Sequence, residues 1–518
     1  MKPLTFYRGG IVSGLIALLM STALAVAPAN AQDRDLTFAF GAPILTLDPG
    51  ISAGSQAQTV RFQIMESLVQ LNADTGGIEP LLAESWSVAE DGVTWTFNLR
   101  PGVTFHDGTP LTANDVKVSL ERLIDPDAGL PRGNDLRIIT AINVIDDLTV
   151  EMVTSVPFGP MLPTLAQDSA SILSSTFLTS EAADVAWNPI GTGPFRYESH
   201  VAEQSVTLVR NDDYWGDAPQ AETITFISVP EASTRLAMLE VGEADIVVDV
   251  PGIEVPRLRD EGNIGLIQKP NTRLVHIGIN VTKEPFTDLR VRQALNLAVD
   301  REAITEGVLG GLGIPATSII AESVFGYAPQ EGLEYDPDRA RELLAEAGYP
   351  DGFSTTLWTP QGRYYMDREV TVAVQAMLQE VGIQANVEVI DWSSYLTLVR
   401  EPAGENKSEL YTMGWETGTN DIQYILDTVF QASRIAPNGW NTMFYDNPEL
   451  DALARQIAGE VNPDKRAELA AQAQAMIVAD APWVPLYGSV QVAGYRGDIS
   501  GIEYLPTDNY RLKNVVFE

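Results

Sequence analysis

Hydrophobic and polar positions alternate strictly from residue 93 to residue 100, which predicts a strand with one buried face. Turn signals follow at Pro101-Gly102 and Asp107-Gly108. Thr112 stands three residues before Asp115, and this capping-box spacing predicts the start of a helix. The stretch from 66 to 156 is therefore predicted to be rich in β-hairpins.

The rest of the chain alternates between short apolar runs and segments with a 3.6-residue apolar period. Helices are predicted at 231–241, 288–300 and 367–381, with two more that begin at Asp336-Pro337 and Asn462-Pro463. Strands are predicted at 36–40, 224–229, 244–250, 273–280, 355–359, 385–390 and 484–487. Strands that alternate with helices of 10 to 15 residues indicate parallel βαβ units. The pattern favours two α/β lobes plus one inserted, more β-rich subdomain.

The first 31 residues have the pattern of a cleaved secretory signal peptide. Lys2 and Arg8 precede an apolar run from 11 to 26, and small residues end the segment at Ala29 and Ala31. The alternative is an uncleaved membrane anchor, but a spanning helix needs about 20 apolar residues. We expect a periplasmic protein that is not a lipoprotein, because the sequence has no cysteine for lipid attachment.

Composition narrows the possible functions of the chain. The 518 residues include 70 Asp and Glu against 33 Lys and Arg, a net charge of -37. Removing residues 1–31 takes away two basic groups and no acidic one, so the mature charge is -39. Nucleic-acid binding needs clustered cations and is excluded as the leading function. An apolar share of 45% with 20% charged residues is typical of a globular chain long enough for about three subdomains.

A search for catalytic chemistry gives no candidate residues. The histidines His106, His200 and His276 are far apart, and no HExxH, GxSxG or Walker A motif is present. We therefore predict no catalytic residue, no metal site and no cofactor. A secreted hydrolase that uses two carboxylates stays open as the alternative function, since 70 acidic residues leave many pairs to choose from.

Eight runs of the sequence carry a family resemblance, and the most specific joins AESW, DGVTWTFNLR and GVTFHDGTPLTANDV. The runs lie at 83–86, 91–100, 102–116, 191–195, 210–215, 290–295, 447–451 and 482–487. With these runs the chain resembles family 5 extracellular solute-binding proteins, the dipeptide, oligopeptide and nickel receptors of ABC importers.

The resemblance implies a two-lobed periplasmic-binding-protein fold of type II that closes on its ligand like a hinge. Lobe I is expected at 32–271 plus 488–518, with the β-rich subdomain inserted at 62–185, and lobe II at 272–487. The two strands that cross between the lobes are expected near 273–280 and 484–491. The protein would be a monomer that binds a peptide-like or other small organic solute and delivers it to a membrane permease. A metal ligand, as in the nickel branch, would have to arrive chelated.

The resemblance also implies where the ligand binds. Peptide-binding relatives hold the ligand amine with an Asp three residues after the Trp of a Gly-Trp strand end, and Gly418 stands at that spacing after Trp415. Arg363 matches the arginine that holds a ligand carboxylate, the alternative being an ordinary surface arginine. Trp415 has core packing as its alternative, and Tyr487 is assigned to the hinge. The predicted ligand-binding residues are Arg363, Tyr365, Trp392, Trp415, Glu416, Asp421, Trp440 and Asn441.

Overall fold

Strands and helices alternate along residues 34–518, the part of the chain that the computed structural model describes. The predicted signal peptide, residues 1–31, lies outside the described residues. The strands are β1 Asp35–Phe40, β2 Val69–Leu71, β3 Ile78–Pro80, β4 Ala83–Val88, β5 Thr94–Leu99, β6 Ile139–Asp146, β7 Thr149–Thr154, β8 Phe195–Val201, β9 Ser205–Arg210, β10 Thr223–Ser228, β11 Ile246–Val248, β12 Ile264–Ile279, β13 Gly313–Pro315, β14 Phe353–Pro360, β15 Ile383–Ile390, β16 Leu410–Trp415, β17 Trp483–Arg496, β18 Ile499–Ser500, β19 Glu503–Leu505, β20 Asn509–Arg511 and β21 Val516–Phe517.

The helices begin where the sequence supplies caps. Asp336 and Asn462 accept hydrogen bonds from backbone N–H groups three residues on, and Pro337 and Pro463 occupy the first helical positions, as predicted. The α-helices are α1 Ser55–Ile64, α2 Ala113–Ile124, α3 Met161–Leu165, α4 Ser175–Leu178, α5 Ala232–Val241, α6 Val255–Glu261, α7 Leu289–Leu297, α8 Pro337–Glu346, α9 Asp367–Glu380, α10 Trp392–Val399, α11 Ile422–Ile425, α12 Pro448–Gly459 and α13 Pro463–Asp480.

One mixed sheet of eleven strands runs through both lobes, in the order β15-β14-β16-β12-β17-β11-β1-β10-β9-β8, with β13 paired to β17. The predicted parallel pairing holds on both sides of the centre of the sheet: β1 pairs in parallel with β10 and β11, and β14 with β15 and β16. It does not hold at the centre of the sheet. There β12 and β17 run antiparallel to each other and to their outer neighbours β16 and β11, because each crosses between the lobes in the opposite direction.

The two crossing strands form the hinge candidate. β12 and β17 are paired along nearly their whole length, but the register shifts between Pro270 and Leu274. On one side of this break, 264–270 pairs with 490–496 in lobe I, and on the other side 274–278 pairs with 483–488 in lobe II. A break in the ladder is where backbone dihedrals change at least cost. The lobe boundaries at 271/272 and 487/488 stay predictions, and we use them below to name the lobes.

The inserted subdomain contains a four-stranded antiparallel sheet in the order β4-β5-β7-β6. The alternation at 93–100 puts Trp95, Phe97 and Leu99 into its core. Helix α2 packs on this sheet, and the capping box predicted at Thr112 and Asp115 is present at its start.

A buried carboxylate anchors the loop that follows the subdomain. Glu66 accepts hydrogen bonds from the Thr192 hydroxyl at 2.8 Å, the Tyr214 hydroxyl at 2.7 Å and the Trp215 indole N–H at 2.8 Å. Burial raises the pKa of Glu66, while these three donors oppose that shift. Gly191 on the same loop approaches the α1 backbone so closely that a Cβ atom there would lie 2.3 Å from the Ile64 carbonyl oxygen. The residues of the motif at 191–195 therefore hold this loop against α1 and Glu66.

Candidate ligand site between the lobes

A cavity of about 610 Å³ lies between the lobes beside the hinge strands. Pockets of 300 to 1,000 Å³ are the usual size for small-molecule ligands. A second cavity, of about 290 Å³, lies within lobe I beside Glu66. The interlobe cavity is lined by Phe40, Ser55, Gln56, Val248, Asp249, Val250, Pro251, Gly252, Ile253, Asn271, Arg273, Leu312, Gly362, Arg363, Tyr364, Tyr365, Tyr487, Ser489, Val490, Gln491, Val492, Asp508 and Tyr510.

The lobes touch each other around this cavity. The Tyr365 ring of lobe II packs on Gly252 of lobe I so closely that a Cβ atom on the glycine would lie 2.3 Å from Cζ of the ring. The Asn420 amide of lobe II donates to the Gly76 carbonyl of the inserted subdomain at 3.0 Å. The two lobes are therefore in direct contact across the cleft.

Arg363 stands on the lobe II side of the cavity, in the loop between β14 and α9. The Asp367 carboxylate fixes this loop by accepting the Arg363 backbone N–H at 2.8 Å. The guanidinium lies 5.2 Å from the Trp392 ring centroid and 5.5 Å from that of Tyr364, so two aromatic faces support it. Desolvation and the neighbouring charge of Arg273 lower its pKa. Among residues 34–518, no carboxylate lies within ion-pair distance of this guanidinium.

The second arginine of the cavity is already paired. Arg273, on β12, forms an ion pair with Glu416 and lies 3.7 Å from Asp508. Asp508 also accepts the Asn271 amide at 3.0 Å and the Tyr504 hydroxyl. These contacts link hinge strand β12 to the C-terminal part of lobe I. The charges of Arg273 and Asp508 are therefore balanced by other groups within the protein.

Asp249 stands on the lobe I side, directly after β11. Its backbone is left-handed, with φ of 55°, a conformation that aspartate tolerates better than most residues. The Gln491 amide donates to Oδ1 at 3.0 Å, and the Arg235 guanidinium lies 3.7 Å from Oδ2. The side chain is 60% exposed. The sequence analysis missed Asp249, although its place at the carboxyl end of a buried strand is where open α/β sheets bind ligands.

Two of the three tryptophans predicted for the site, Trp415 and Trp440, are not among the residues that line this cavity. Side chains alternate along β16, so Gly414 faces Tyr364 and Arg273, while Trp415 packs on the other side against the lobe II core and Trp440. The ring centroids of Trp415 and Trp440 are 5.5 Å apart, and Arg400 lies 4.4 Å from that of Trp440. The core alternative considered for Trp415 agrees with this placement.

Asp421 and Asn441 are structural in the described chain. Asp421 is 1% exposed, and both its oxygens accept hydrogen bonds from the Arg466 guanidinium, at 2.6 and 2.5 Å. Asn441 is fully buried, and its amide donates to the Tyr445 carbonyl at 2.7 Å. Because both polar groups are satisfied internally and screened from the cavity, they are not carried into the ligand site proposed below.

The structure thus brings part of the predicted set together. Arg363 and Tyr365 line the cavity, Trp392 supports Arg363 from behind, and Glu416 reaches the cavity edge through its ion pair with Arg273. As ligand contacts, all of them stay predictions.

The comparisons with known proteins place the chain in a family. Residues 77–437, more than half of the chain, match the model of bacterial extracellular solute-binding proteins, family 5 Middle. The chain belongs to this family. The glutathione-binding protein GsiB of Salmonella typhi is 32% identical over 499 residues, which cover 96% of this chain and 97% of GsiB.

Solved structures of relatives agree with this membership. HbpA2 from Haemophilus parasuis superposes with a TM-score of 0.84 at 27% identity, over 93% of this chain and 100% of HbpA2. The periplasmic binding protein DppA from Helicobacter pylori, in complex with the peptide STSA, gives 0.73 at 28% identity, over 93% and 98%.

For this family 5 protein, the resemblance stated above and the two-lobed periplasmic-binding-protein fold are confirmed. So is the prediction of a solute-binding receptor, and GsiB and DppA are named as binding proteins.

The described residues also bear on two alternatives, a metal site and a membrane-spanning helix. Within residues 34–518, no group of three or more His, Cys, Asp or Glu side chains is arranged to hold a metal ion. In the same range no helix has both the length and the apolar character needed to cross a membrane.

Proposed function

We propose that this family 5 protein captures a small peptide-like solute that carries a carboxylate and delivers it to an ABC importer permease. Arg363 carries the proposal: it is a guanidinium on a cavity wall, supported by two aromatic rings and without an acidic partner among the described residues. A ligand carboxylate would accept two parallel N–H donors from such a group.

The composition of the cavity wall supports a peptide-like ligand. Tyr364, Tyr365, Tyr487 and Tyr510 offer aromatic surface, while valines and Leu312 offer aliphatic surface. Peptides and their derivatives combine charged ends with mixed side chains, which is what this lining complements. GsiB is a glutathione-binding protein and DppA is seen with a tetrapeptide, so both relatives bind solutes of this class.

The proposal also covers the cellular location of the protein and the steps by which it delivers its solute. We infer that residues 1–31 direct export to the periplasm and are removed, and that the mature chain is a monomer without a lipid anchor. The solute enters an open form, closure brings Tyr365 onto Gly252, and the permease binds the closed form. The protein carries out no chemical conversion.

A thermal-shift screen tests this function. The mature protein is refolded to strip carried-over solute and then mixed with glutathione, the peptide STSA and a panel of dipeptides. A ligand that binds only the native state raises the melting temperature, so at least one compound should raise it in a concentration-dependent way. Amide derivatives of the active compounds, which lack the carboxylate, serve as controls and should raise it much less. The proposal fails if no member of the panel shifts the melting temperature, or if the amides act as well as the acids.

A further inference from the structure

Four charged side chains line the interlobe cavity, and two of them have more partners within the protein than the other two. Arg273 is ion-paired with Glu416, and Asp508 accepts hydrogen bonds from the Asn271 amide and the Tyr504 hydroxyl. Arg363 and Asp249 are not paired with each other and stand on opposite lobes. One positive and one negative group are therefore left facing the same cavity from its two sides.

Asp249 has room to accept a ligand donor. A carboxylate offers about four lone-pair positions, and among residues 34–518 only the Gln491 amide donates a hydrogen bond to Asp249, on Oδ1. Its charged neighbour Arg235 donates from Nε and Nη1 to the carbonyls of residues 229, 230 and 248, and its Nη2 atom is the one nearest Asp249. The 3.7 Å separation from Asp249 is too long for a hydrogen bond. By contrast, Asp508 has an 18% exposed side chain and accepts hydrogen bonds from Asn271 and Tyr504.

The position of Asp249 is fixed by its surroundings. It follows β11, which lies between β1 and β17 in the large sheet. The next residue, Val250, donates its backbone N–H to the Val492 carbonyl at 3.1 Å. The carboxylate therefore projects from an ordered strand end, and a fixed acceptor costs little ordering when a ligand binds.

We propose that Asp249 is the ammonium subsite of the ligand, so that the cargo is zwitterionic and bridges the lobes, with its ammonium on Asp249 and its carboxylate on Arg363. This rests on the proposed function, because it needs the carboxylate to bind Arg363. An ammonium group brings three donors to a carboxylate with free lone pairs. Because the two subsites belong to different lobes, both are satisfied together only when the cleft is closed, and charge separation in the ligand contributes to closure.

A double-mutant cycle between protein and ligand tests the subsite. Calorimetry measures the affinity of glutathione and of N-acetyl-glutathione, and of the peptide STSA and its N-acetyl form, for wild type and for Asp249→Asn. Asparagine keeps the shape and the Gln491 contact while removing the charge. Asp260→Asn is the matched control, since this exposed aspartate on α6 of the same lobe removes one charge away from the cavity.

The inference predicts that acetylation weakens binding to wild type at least tenfold for whichever probes bind. Asp249→Asn should weaken the free-amine form by a similar factor, and acetylation should then change the affinity of this variant less than twofold. Asp260→Asn should bind like wild type. If Asp249→Asn and wild type lose affinity equally on acetylation, or if acetylation has no effect, the ammonium subsite is refuted while the carboxylate site at Arg363 stands. If neither form of either probe binds wild type and no dipeptide of the thermal-shift panel does, the proposed function fails and the inference falls with it.

Discussion

Two arginines of lobe II, Arg466 and Arg363, show how charge is used differently in the core and in the cleft. Arg466 is 3% exposed and forms a two-pronged ion pair with Asp421, which is itself 1% exposed. Arg363 stands at the cavity wall on aromatic rings, with no acidic partner among residues 34–518. Both residues are charged, but only the second has unused hydrogen-bonding capacity for a ligand. The comparison teaches that a charge the fold has already neutralised supports the structure, and that an unpaired charge on a cavity wall is a candidate for ligand binding.

The largest effect is expected from breaking the core pair. Arg466→Ala leaves the Asp421 carboxylate buried without its partner, which costs about 3 to 5 kcal/mol of unfolding free energy. Urea denaturation measures this loss. Arg455→Ala is the control, because Arg455 is an exposed residue on the neighbouring helix α12, and it should change the stability by less than about 0.5 kcal/mol. A loss below about 1 kcal/mol for Arg466→Ala would contradict the structural role of this pair.

The buried imidazole of His276, which is held neutral, extends the comparison of charges in the core and in the cleft. His276 on β12 packs 3.9 Å from the Trp483 ring, and its Nδ1 atom has no hydrogen-bond partner among the described residues. Desolvation lowers its pKa to about 3. The unfolded chain takes up a proton near pH 6.5, while the folded chain resists until about pH 3. Stability is therefore lost as the pH falls through this window.

Between pH 7 and pH 4 the His276 contribution amounts to roughly 3 kcal/mol. Urea denaturation at a series of pH values should show a shallower pH dependence for His276→Phe than for wild type. Identical slopes for the two proteins would contradict a neutral buried imidazole. The test uses the change of unfolding free energy with pH, because the substitution also changes packing and so shifts the stability by a similar amount at every pH.

In the cleft, Arg363→Gln should reduce ligand affinity and leave the fold intact. The loss of a charged hydrogen-bond pair is expected to weaken binding about thirtyfold, or about 2 kcal/mol. Calorimetry with the tightest compound of the screen measures it. Arg368→Gln, an exposed residue on the adjacent helix α9, is the control and should bind normally. Wild-type affinity for Arg363→Gln would remove this residue from the site.

The smallest effect is expected where the lobes meet. Gly252→Ala places a methyl group against the Tyr365 ring, but the end of a flexible side chain can move aside. Affinity should fall about threefold, which corresponds to less than about 1 kcal/mol. Relative to Tyr365→Ala alone, adding Gly252→Ala should change nothing, because the clash is gone. A threefold loss that persists in the Tyr365→Ala background would locate the effect elsewhere.

Much of the fold was predictable because its determinants are local. The period-two run at 93–100, the capping box at Thr112 and the prolines at helix starts all act within a few residues of themselves. The antiparallel crossing of β12 and β17 was not predictable from periodicity, because pairing 264–279 with 483–496 depends on the whole topology. The inserted subdomain was predicted from its hairpin signals, and its four-stranded antiparallel sheet follows from them.

The site was predictable only where a single loop defines it. Arg363 and Tyr365 were found from one short motif, and both line the cavity. Asp249 was not predicted, because its place in the cavity depends on residues far along the chain: Gln491 contacts it, and Asp508 has other partners. Trp415 was predicted to face the cleft because it stands at a strand end. The alternation of side chains along β16 places it against the lobe II core.

The structure of the protein with its cargo bound tests the central claim most directly. Crystals of protein purified without refolding, with the carried-over solute identified by native mass spectrometry, should show that solute between the lobes with a carboxylate on the Arg363 guanidinium. Cargo in the lobe I cavity beside Glu66, or cargo between the lobes that makes no contact with Arg363, would contradict the account.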